Sequence, residues 1–139
     1  MRLIDDNASF RFNQTGVRKF LGDLECEIME LVWKKAKPTV TVREIHEVIY
    51  KQRGIAYTTV MTTMSRLAEK DILRIVDQAG LANCYAPAES RDQFIQRSVS
   101  HILKIFRREF PNQCQAYLAQ LASNKVNQTT ATKGKSRKK

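Results

Sequence analysis

The sequence lacks the features that mark secreted, membrane-spanning and metal-binding proteins. Its three cysteines, Cys26, Cys84 and Cys114, form no CxxC or CxC pair, which argues against a disulfide framework and against a zinc or copper site. No apolar run reaches about 18 residues, and the N-terminus has no compact apolar signal stretch. We therefore expect a cytoplasmic protein with no membrane insertion, no bound metal and no cofactor.

The residue patterns of common catalytic sites are also missing. The chain contains no HExxH, GxSxG or GxxxxGK[ST] motif and no paired carboxylates in a catalytic arrangement. His46 and His101 stand alone, and each is more typical of a helix surface or the edge of a core than of a ligand. We therefore expect no enzymatic activity and assign no catalytic residue.

The chain carries a formal net charge of +10, and acidic residues are scarce in two parts of it. Residues 34–74 contain nine basic and four acidic residues, and residues 122–139 contain six basic and no acidic residues. A positive face over the first segment suits a polyanionic partner. Because residues 123–139 hold only Val126 as a larger aliphatic side chain, we expect them to form a disordered basic tail.

Apolar spacing predicts helices after a polar N-terminal arm, residues 1–21. The first helix follows Gly22 and stops before Pro38, and its acids lie at the start and its lysines at the end, as the helix dipole favours. Thr41-Val42-Arg43-Glu44 is a capping box that opens a second helix, which Gly54 ends. We expect this pair to belong to a domain that covers residues 22–89.

The stretch "AYTTVMTTMSRL", Ala56–Leu67, predicts an unusual third helix. At 100° per residue, Val60, Met64 and Leu67 share one face, while the threonines gather on the other. Because β-branched threonine is a weak helix former, a solvated helix face usually carries other polar residues. Short hydroxyl side chains would let such a helix lie deep in the DNA major groove, where they can bond to base edges.

The residues after the third helix predict a hairpin and then more helix. The β-branched run Ile72–Asp77 and the segment Asn83–Ala86 read as two short strands, with Gly80 near the tip between them. Three helices followed by a hairpin is the order of a winged helix, a helix-turn-helix variant whose third helix enters the major groove. Residues 90–122 begin with the capping box Ser90-Arg91-Asp92-Gln93 and carry wide apolar stripes that need a partner surface. The predicted fold is therefore mainly α, a three-helix core with a two-stranded wing followed by a helical dimerisation region.

From Leu24 to about Leu121 the chain resembles the BlaI, MecI and CopY family of bacterial repressors. The matching segments are "LECEIMELVW", "VREIHEVI", "AYTTVMTTMSRLAEKDIL" and the aromatic-x-Pro "YAP" of the second predicted strand. The resemblance implies a homodimer, joined through its C-terminal helices, that blocks transcription at a palindromic DNA operator.

The resemblance assigns the base-contacting residues and Arg66, and the charge and apolar patterns add the other candidate site residues. It implies base contacts by Thr58, Thr59 and Thr62. Candidate contacts to the DNA backbone are Arg43, Lys51, Arg53, Arg66, Lys70, Arg74 and Gly80. Candidate dimerisation residues are Ile95, Val99, Ile102, Leu103, Phe106, Phe110, Tyr117, Leu118 and Leu121. For Arg66 an ion pair with Glu69 or Glu30 is an equal alternative to a phosphate contact.

Three departures from the family pattern matter for mechanism. Asp71 replaces the glycine that normally follows the lysine of the third-helix motif, so that helix must end on a left-handed non-glycine residue or in a different turn. The chain ends in "KGKSRKK" instead of a cysteine-rich metal hook. It has no Asn-Phe bond for the cleavage that inactivates β-lactam-responsive members, and Tyr117-Leu118 aligns there. Release by an upstream membrane sensor protease acting at another bond stays open.

Two other classes of function remain as alternatives. A thiol-based regulator responsive to redox or metal would use Cys84, Cys26 or Cys114; we expect Cys26 to lie off the apolar stripe of the first helix and Cys84 to be partly exposed. A nucleoid or RNA-binding protein without sequence preference would use the positive charge alone.

Overall fold

The computed structural model describes residues 10–76 and 83–136. The chain divides into two compact units, one ending at Val99 and the other beginning at Ser100. Within the described residues, no helix is long and apolar enough to cross a membrane. A short 3₁₀ helix covers Gly16–Lys19. The α-helices are α1 (Asp23–Lys34), α2 (Val42–Arg53), α3 (Tyr57–Glu69), α4 (Arg91–Glu109) and α5 (Pro111–Ser136), and the strands are β1 (Val40–Thr41), β2 (Leu73–Val76) and β3 (Cys84–Pro87).

The ends of α1 and α2 form by local capping. The backbone N–H of Gly22 donates to the Glu25 carboxylate at 3.0 Å before α1. At the start of α2, the Glu44 N–H donates to Thr41 Oγ1 at 3.2 Å, which confirms one half of the predicted capping box, while the Glu44 carboxylate accepts from the Thr41 hydroxyl at 3.3 Å instead of completing the other half. Gly54 ends α2 with φ of 65°, a left-handed conformation that glycine adopts without steric cost. Local sequence therefore determines these helix boundaries through caps.

The core of the first unit lies between α1, α2, α3 and the sheet. The predicted inner face of α3 is fully buried, because Val60, Met64 and Leu67 have no exposed surface. They belong to one cluster with Ile28 of α1 and Ile45 of α2. Burying such side chains stabilises by about 1.5–3 kcal/mol each, which offsets the weak helix propensity of the threonines on the other face.

A three-stranded antiparallel sheet with the order β1-β3-β2 completes the first unit. Strands β2 and β3 are the predicted hairpin, with Ile75 opposite Tyr85. Strand β1 was not predicted, because two residues give no alternating pattern, and it adds Val40 opposite Tyr85 on the other side of β3. Three helices followed by this hairpin confirm the predicted winged-helix fold. Residues 77–82, including Gly80 at the expected wing tip, lie outside the described residues.

The segment before α1 is more than a polar arm. Val17 and Leu21 are buried in the core cluster, at 3% and 4% exposure. Arg11 Nε donates to the Arg18 carbonyl at 3.0 Å, and Arg11 also pairs with Asp23 at 3.2 Å. Two phenylalanines of this segment differ: the Phe20 ring lies 6.4 Å from that of Phe94 in α4, whereas Phe12 is exposed.

The predicted capping box before α4 is present in full. The Ser90 N–H donates to the Gln93 side chain at 2.9 Å, and the Gln93 N–H donates to Ser90 Oγ at 3.1 Å. The expectation of a disordered tail from residue 123 is wrong as far as Ser136, because α5 continues to that residue. The physical reason is that this stretch has no proline and only one glycine, Gly134, so nothing interrupts the helical backbone. The scarcity of large apolar side chains in this stretch is evidence that it is not buried, but it is no evidence that its backbone is not helical.

Candidate nucleic-acid interface

The outer face of α3 presents unbonded hydroxyl groups. Thr58, Thr59 and Thr62 are exposed, and their side chains form no hydrogen bond with any described residue. Thr63 differs, because it is partly buried and its hydroxyl donates to the Thr59 carbonyl at 2.8 Å. Three threonines of α3 therefore point outward with hydroxyls that no described residue bonds, whereas the hydroxyl of Thr63 is bonded to the helix backbone.

His46 of α2 holds the start of α3. One of its ring nitrogens, Nε2, lies 3.1 Å from the carbonyl oxygen of Ile55 in the turn between α2 and α3. The His46 ring also lies 5.4 Å from the ring of Tyr57, the first residue of α3, in an edge-on arrangement. Sequence reasoning placed His46 at a helix surface or core edge but missed this contact, because residues nine apart give no periodic signal. The turn and the first residue of α3 are therefore fixed by a side chain of the preceding helix.

The C-terminus of α3 is closed by a Schellman motif that has aspartate where glycine is usual. Asp71 adopts φ of 61°, which confirms the left-handed alternative expected from the sequence. The Ile72 N–H donates to the Leu67 carbonyl at 2.9 Å, and the Asp71 N–H donates to the Ala68 carbonyl at 3.1 Å. Ile72 and Leu67 are both buried, so the hydrophobic contact that accompanies this motif is available.

The candidate phosphate-binding cations divide into two groups. Arg53 pairs with Glu27, and Lys70 Nζ lies 2.8 Å from Glu25, so both brace α1 against its neighbours. Glu30 is taken by Arg91 at 2.8 Å, which removes it as a partner for Arg66. In the part of the chain that the structure describes, no ion pair forms at Arg43, Lys51, Arg66 or Arg74, all of which are exposed.

The carboxylate of Glu44, near the start of α2, is paired with two lysines. Lys35 Nζ lies 2.9 Å from the Glu44 carboxylate, and Lys37 Nζ lies 3.9 Å from it. The pKa of Glu44 is lowered, first by the hydrogen bond from Lys35 and further by the positive charges of both lysines, against an opposing effect of desolvation. Glu44 is therefore already paired with the two lysines, and it forms no ion pair with Arg43 or Lys51 among the described residues.

An open cleft of about 690 Å³ borders α3 on its wing side. Tyr57, Met61 and Ser65 of α3 lie along it, and Arg43 of α2 lies at it as well. None of the described residues that line the cleft carries a carboxylate. The described residues that line it are Thr41, Val42, Arg43, Tyr57, Met61, Thr62, Ser65, Asn83 and Tyr85.

Comparisons with known proteins assign the chain to a family. The family model described as "Penicillinase repressor" matches residues 21–133. The chain belongs to the penicillinase repressor family. Two proteins named "Transcriptional regulator BlaI", from Mycobacterium tuberculosis strains CDC 1551 / Oshkosh and ATCC 25618 / H37Rv, are each 45% identical over 76 residues, which is 54% of this chain and 53% of theirs.

The match to these curated relatives of the penicillinase repressor family spans about half of their length. Among solved structures, the chain is similar to the "Solution structure of the DNA binding domain of the repressor BlaI", with 25% sequence identity and a TM-score of 0.43. That similarity covers 48% of this chain and 78% of the other.

The C-terminal helices of this penicillinase repressor family member carry apolar side chains that are exposed in the described part of the chain. Leu103, Phe110, Tyr117 and Leu118 are between 51% and 62% exposed. Of the other five candidate dimerisation residues, Val99 and Leu121 are exposed, Ile102 and Phe106 are partly exposed, and Ile95 is partly buried against the core cluster of the first unit. Apart from Ile95, the predicted apolar stripes therefore present accessible surface.

The three cysteines lie in different surroundings. Cys26 lies off the apolar stripe of α1, as its spacing from Ile28 requires, but the side chain is only 6% exposed and belongs to one cluster with Val17 of the N-terminal segment. Burial, and then the charge of Glu30, raise the pKa of the Cys26 thiol, against a lowering effect of Arg18. Cys84 is partly exposed in the central strand, as expected.

Cys114 in α5 is also partly exposed rather than buried. No group of three or more His, Cys, Asp or Glu side chains among the described residues is placed to hold a metal ion.

Proposed function

We propose that the protein is a DNA-binding transcriptional repressor that binds a palindromic operator as a homodimer, with α3 in the major groove. The observation that carries the proposal is the outer face of α3, where Thr58, Thr59 and Thr62 present unbonded hydroxyls opposite a fully buried inner face. A threonine hydroxyl donates to or accepts from base edges, and its methyl group contacts a thymine methyl. Membership of the penicillinase repressor family and the name of the Mycobacterium relatives support the same function.

The cations around this face supply the electrostatic part of the proposal. Arg43, Lys51, Arg66 and Arg74 have no acidic partner among the described residues, so each can bind a phosphate without first breaking an ion pair. Arg53 and Lys70 are weaker candidates, because a phosphate would have to compete with Glu27 and Glu25. Gly80 remains a proposed backbone contact at the wing tip.

The homodimer is proposed from the open apolar surface of α4 and α5. Contact between two copies through this surface would remove side chains such as Leu118 from water, at about 25 cal/mol for each Å² buried. A two-fold dimer also places two α3 helices on two half-sites, which explains why the operator should be palindromic. The remaining candidate residues from Ile95 to Leu121 would share this interface.

Leu118→Glu tests the dimer. We expect sedimentation velocity to show monomers for this variant and dimers for the wild type, because an unpaired carboxylate is costly in an apolar interface. Phe12→Glu is the matched control, since Phe12 is 73% exposed and belongs to no proposed contact surface. A wild-type monomer that still binds one duplex specifically would refute the dimer but not the DNA contact.

Thr59→Val tests base recognition by α3. The change keeps the side-chain shape and removes the hydroxyl, so we expect specific affinity to fall by roughly 1–3 kcal/mol. Thr63→Val is the matched control, because its hydroxyl is already bonded to the Thr59 carbonyl; its operator affinity should stay close to wild type. The measurement is fluorescence anisotropy on a duplex selected from a random pool and on a scrambled duplex.

The same titrations separate the rival functions. A nucleoid or RNA-binding protein would bind the scrambled duplex as tightly as the selected one, and Thr59→Val would change neither. A thiol-based regulator would lose its response to oxidant in Cys84→Ser. The burial of Cys26 disfavours that residue as the reactive thiol.

A further inference from the structure

We propose that Tyr57 and Met61 form an apolar surface on α3 that recognises the C5-methyl group of thymine in the operator. The inference rests on the proposed DNA-binding function and adds a specificity element beside the threonines. It concerns the wing-side flank of α3, where these two residues stand four positions apart and therefore on one side of the helix.

The two side chains expose apolar surface that the fold does not use. Tyr57 is 43% and Met61 42% exposed, although Met64 on the same helix is fully buried. The ring of Tyr57 is supported edge-on by His46 at 5.4 Å, so the first half of this surface is held in place before any ligand arrives. Met61, with an unbranched and polarisable side chain, can adapt to the shape of its partner.

The surroundings identify DNA, not a protein, as the occupant of this flank. The cleft that Tyr57 and Met61 line has Arg43 as its charged lining residue and no carboxylate among the described ones. Thr62, one of the proposed base-contacting residues, lines the same cleft. A polyanion that also presents base edges fits this combination of positive charge, hydroxyl and apolar surface.

The thymine methyl group is the apolar feature of the major groove. Adenine, guanine and cytosine present only donors and acceptors there, whereas thymine adds its C5-methyl. Neither a tyrosine ring edge nor a thioether would bond strongly to the donors and acceptors, but both gain when a methyl group is taken out of water. One such methyl contributes about fourfold in affinity, which corresponds to the ~0.8 kcal/mol of one buried CH₂ group.

The test replaces thymine by uracil, which lacks only this methyl group. A preferred duplex is first selected from a random pool with the full chain, and each thymine of a half-site is then replaced in turn by deoxyuridine. We expect one or two positions per half-site at which wild-type affinity falls about fourfold. At one or more of those positions Met61→Gln should bind the two duplexes equally, whereas Met61→Leu should keep the preference for thymine; a position read by a threonine methyl would keep its discrimination in both variants.

Tyr50→Gln is the matched control. Tyr50 is also an exposed aromatic residue beside the His46 ring, but it lies on α2, so its loss should leave the discrimination against uracil intact. If a preferred duplex is found and no uracil substitution weakens binding, the inference is overturned while the proposed function stands. The inference is likewise overturned if Met61→Gln discriminates as well as wild type. If no duplex is preferred, the proposed function itself fails, and the inference fails with it.

Discussion

Replacing Asp71 by glycine should stabilise the protein. The residue ends α3 with φ of 61°, where a non-glycine L-residue costs roughly 1–2 kcal/mol, although aspartate is among the better tolerated. Its carboxylate also sits at the carbonyl end of the helix, which is unfavourable by about 0.3–1 kcal/mol. Glycine relieves both costs but adds about 0.5–1 kcal/mol of backbone entropy to the unfolded chain. The net expectation is a gain of about 1 kcal/mol.

Urea denaturation of the wild type, Asp71→Gly and Asp71→Asn at one protein concentration measures this gain, because the stability of a dimer depends on concentration. Asparagine removes the charge but keeps a side chain at the left-handed position, so it should recover only the electrostatic part. The gain for glycine should also raise the melting temperature by roughly 2–5 °C. If Asp71→Gly is no more stable than Asp71→Asn, the left-handed backbone is not a source of strain and the reasoning fails.

Three further predictions follow from particular residues. Iodoacetamide should alkylate Cys84 faster than Cys26 in the native protein, and peptide mass spectrometry giving equal rates would contradict the burial of Cys26. Lys35 lowers the pKa of Glu44. The ion pair therefore stabilises the folded protein fully at pH values above the pKa of the unfolded carboxyl, and this stabilisation is lost as the pH falls through the pKa of the folded carboxyl. The urea midpoint of Lys35→Met should accordingly depend less on pH than that of the wild type between about pH 3 and 6. Truncation after Ala122 should lower the salt slope by about 0.9 for each phosphate that the deleted residues bind, and a reduced preference for the selected duplex would show that those residues contribute to specificity.

Much of the first unit could be predicted from the sequence because its signals are local. The caps at Thr41 and Ser90 need only residues three positions apart, and the buried face of α3 follows from the spacing of Val60, Met64 and Leu67. The hairpin follows from a β-branched run and a turn. Such signals depend on neighbours in the chain, so no tertiary information is required.

The parts that could not be predicted depend on contacts between distant residues. Strand β1 is too short for a pattern and exists only because Val40 meets Tyr85. The burial of Cys26 requires the N-terminal segment to cover α1, and that segment has no helical or strand periodicity beyond a single 3₁₀ turn. The length of α5 is hard to predict for another reason, because the low hydrophobicity of its C-terminal part bears on burial and not on whether the backbone is helical.

The sorting of the basic residues shows why charge alone is an incomplete guide to a DNA-binding face. Arg53 and Arg66 are equivalent in a count of charges, yet Arg53 pairs with Glu27 of α1 while Arg66 has no acidic partner in the described structure. A phosphate gains the full interaction with Arg66, but with Arg53 it must replace an existing ion pair and gains only the difference. Substituting alanine for Arg66 should therefore lower DNA affinity and reduce the salt slope with little effect on stability, whereas the same change at Arg53 should affect the free energy of unfolding more than binding. The reverse ranking would mean that the ion pair between α1 and α2 does not persist when the protein is bound to DNA.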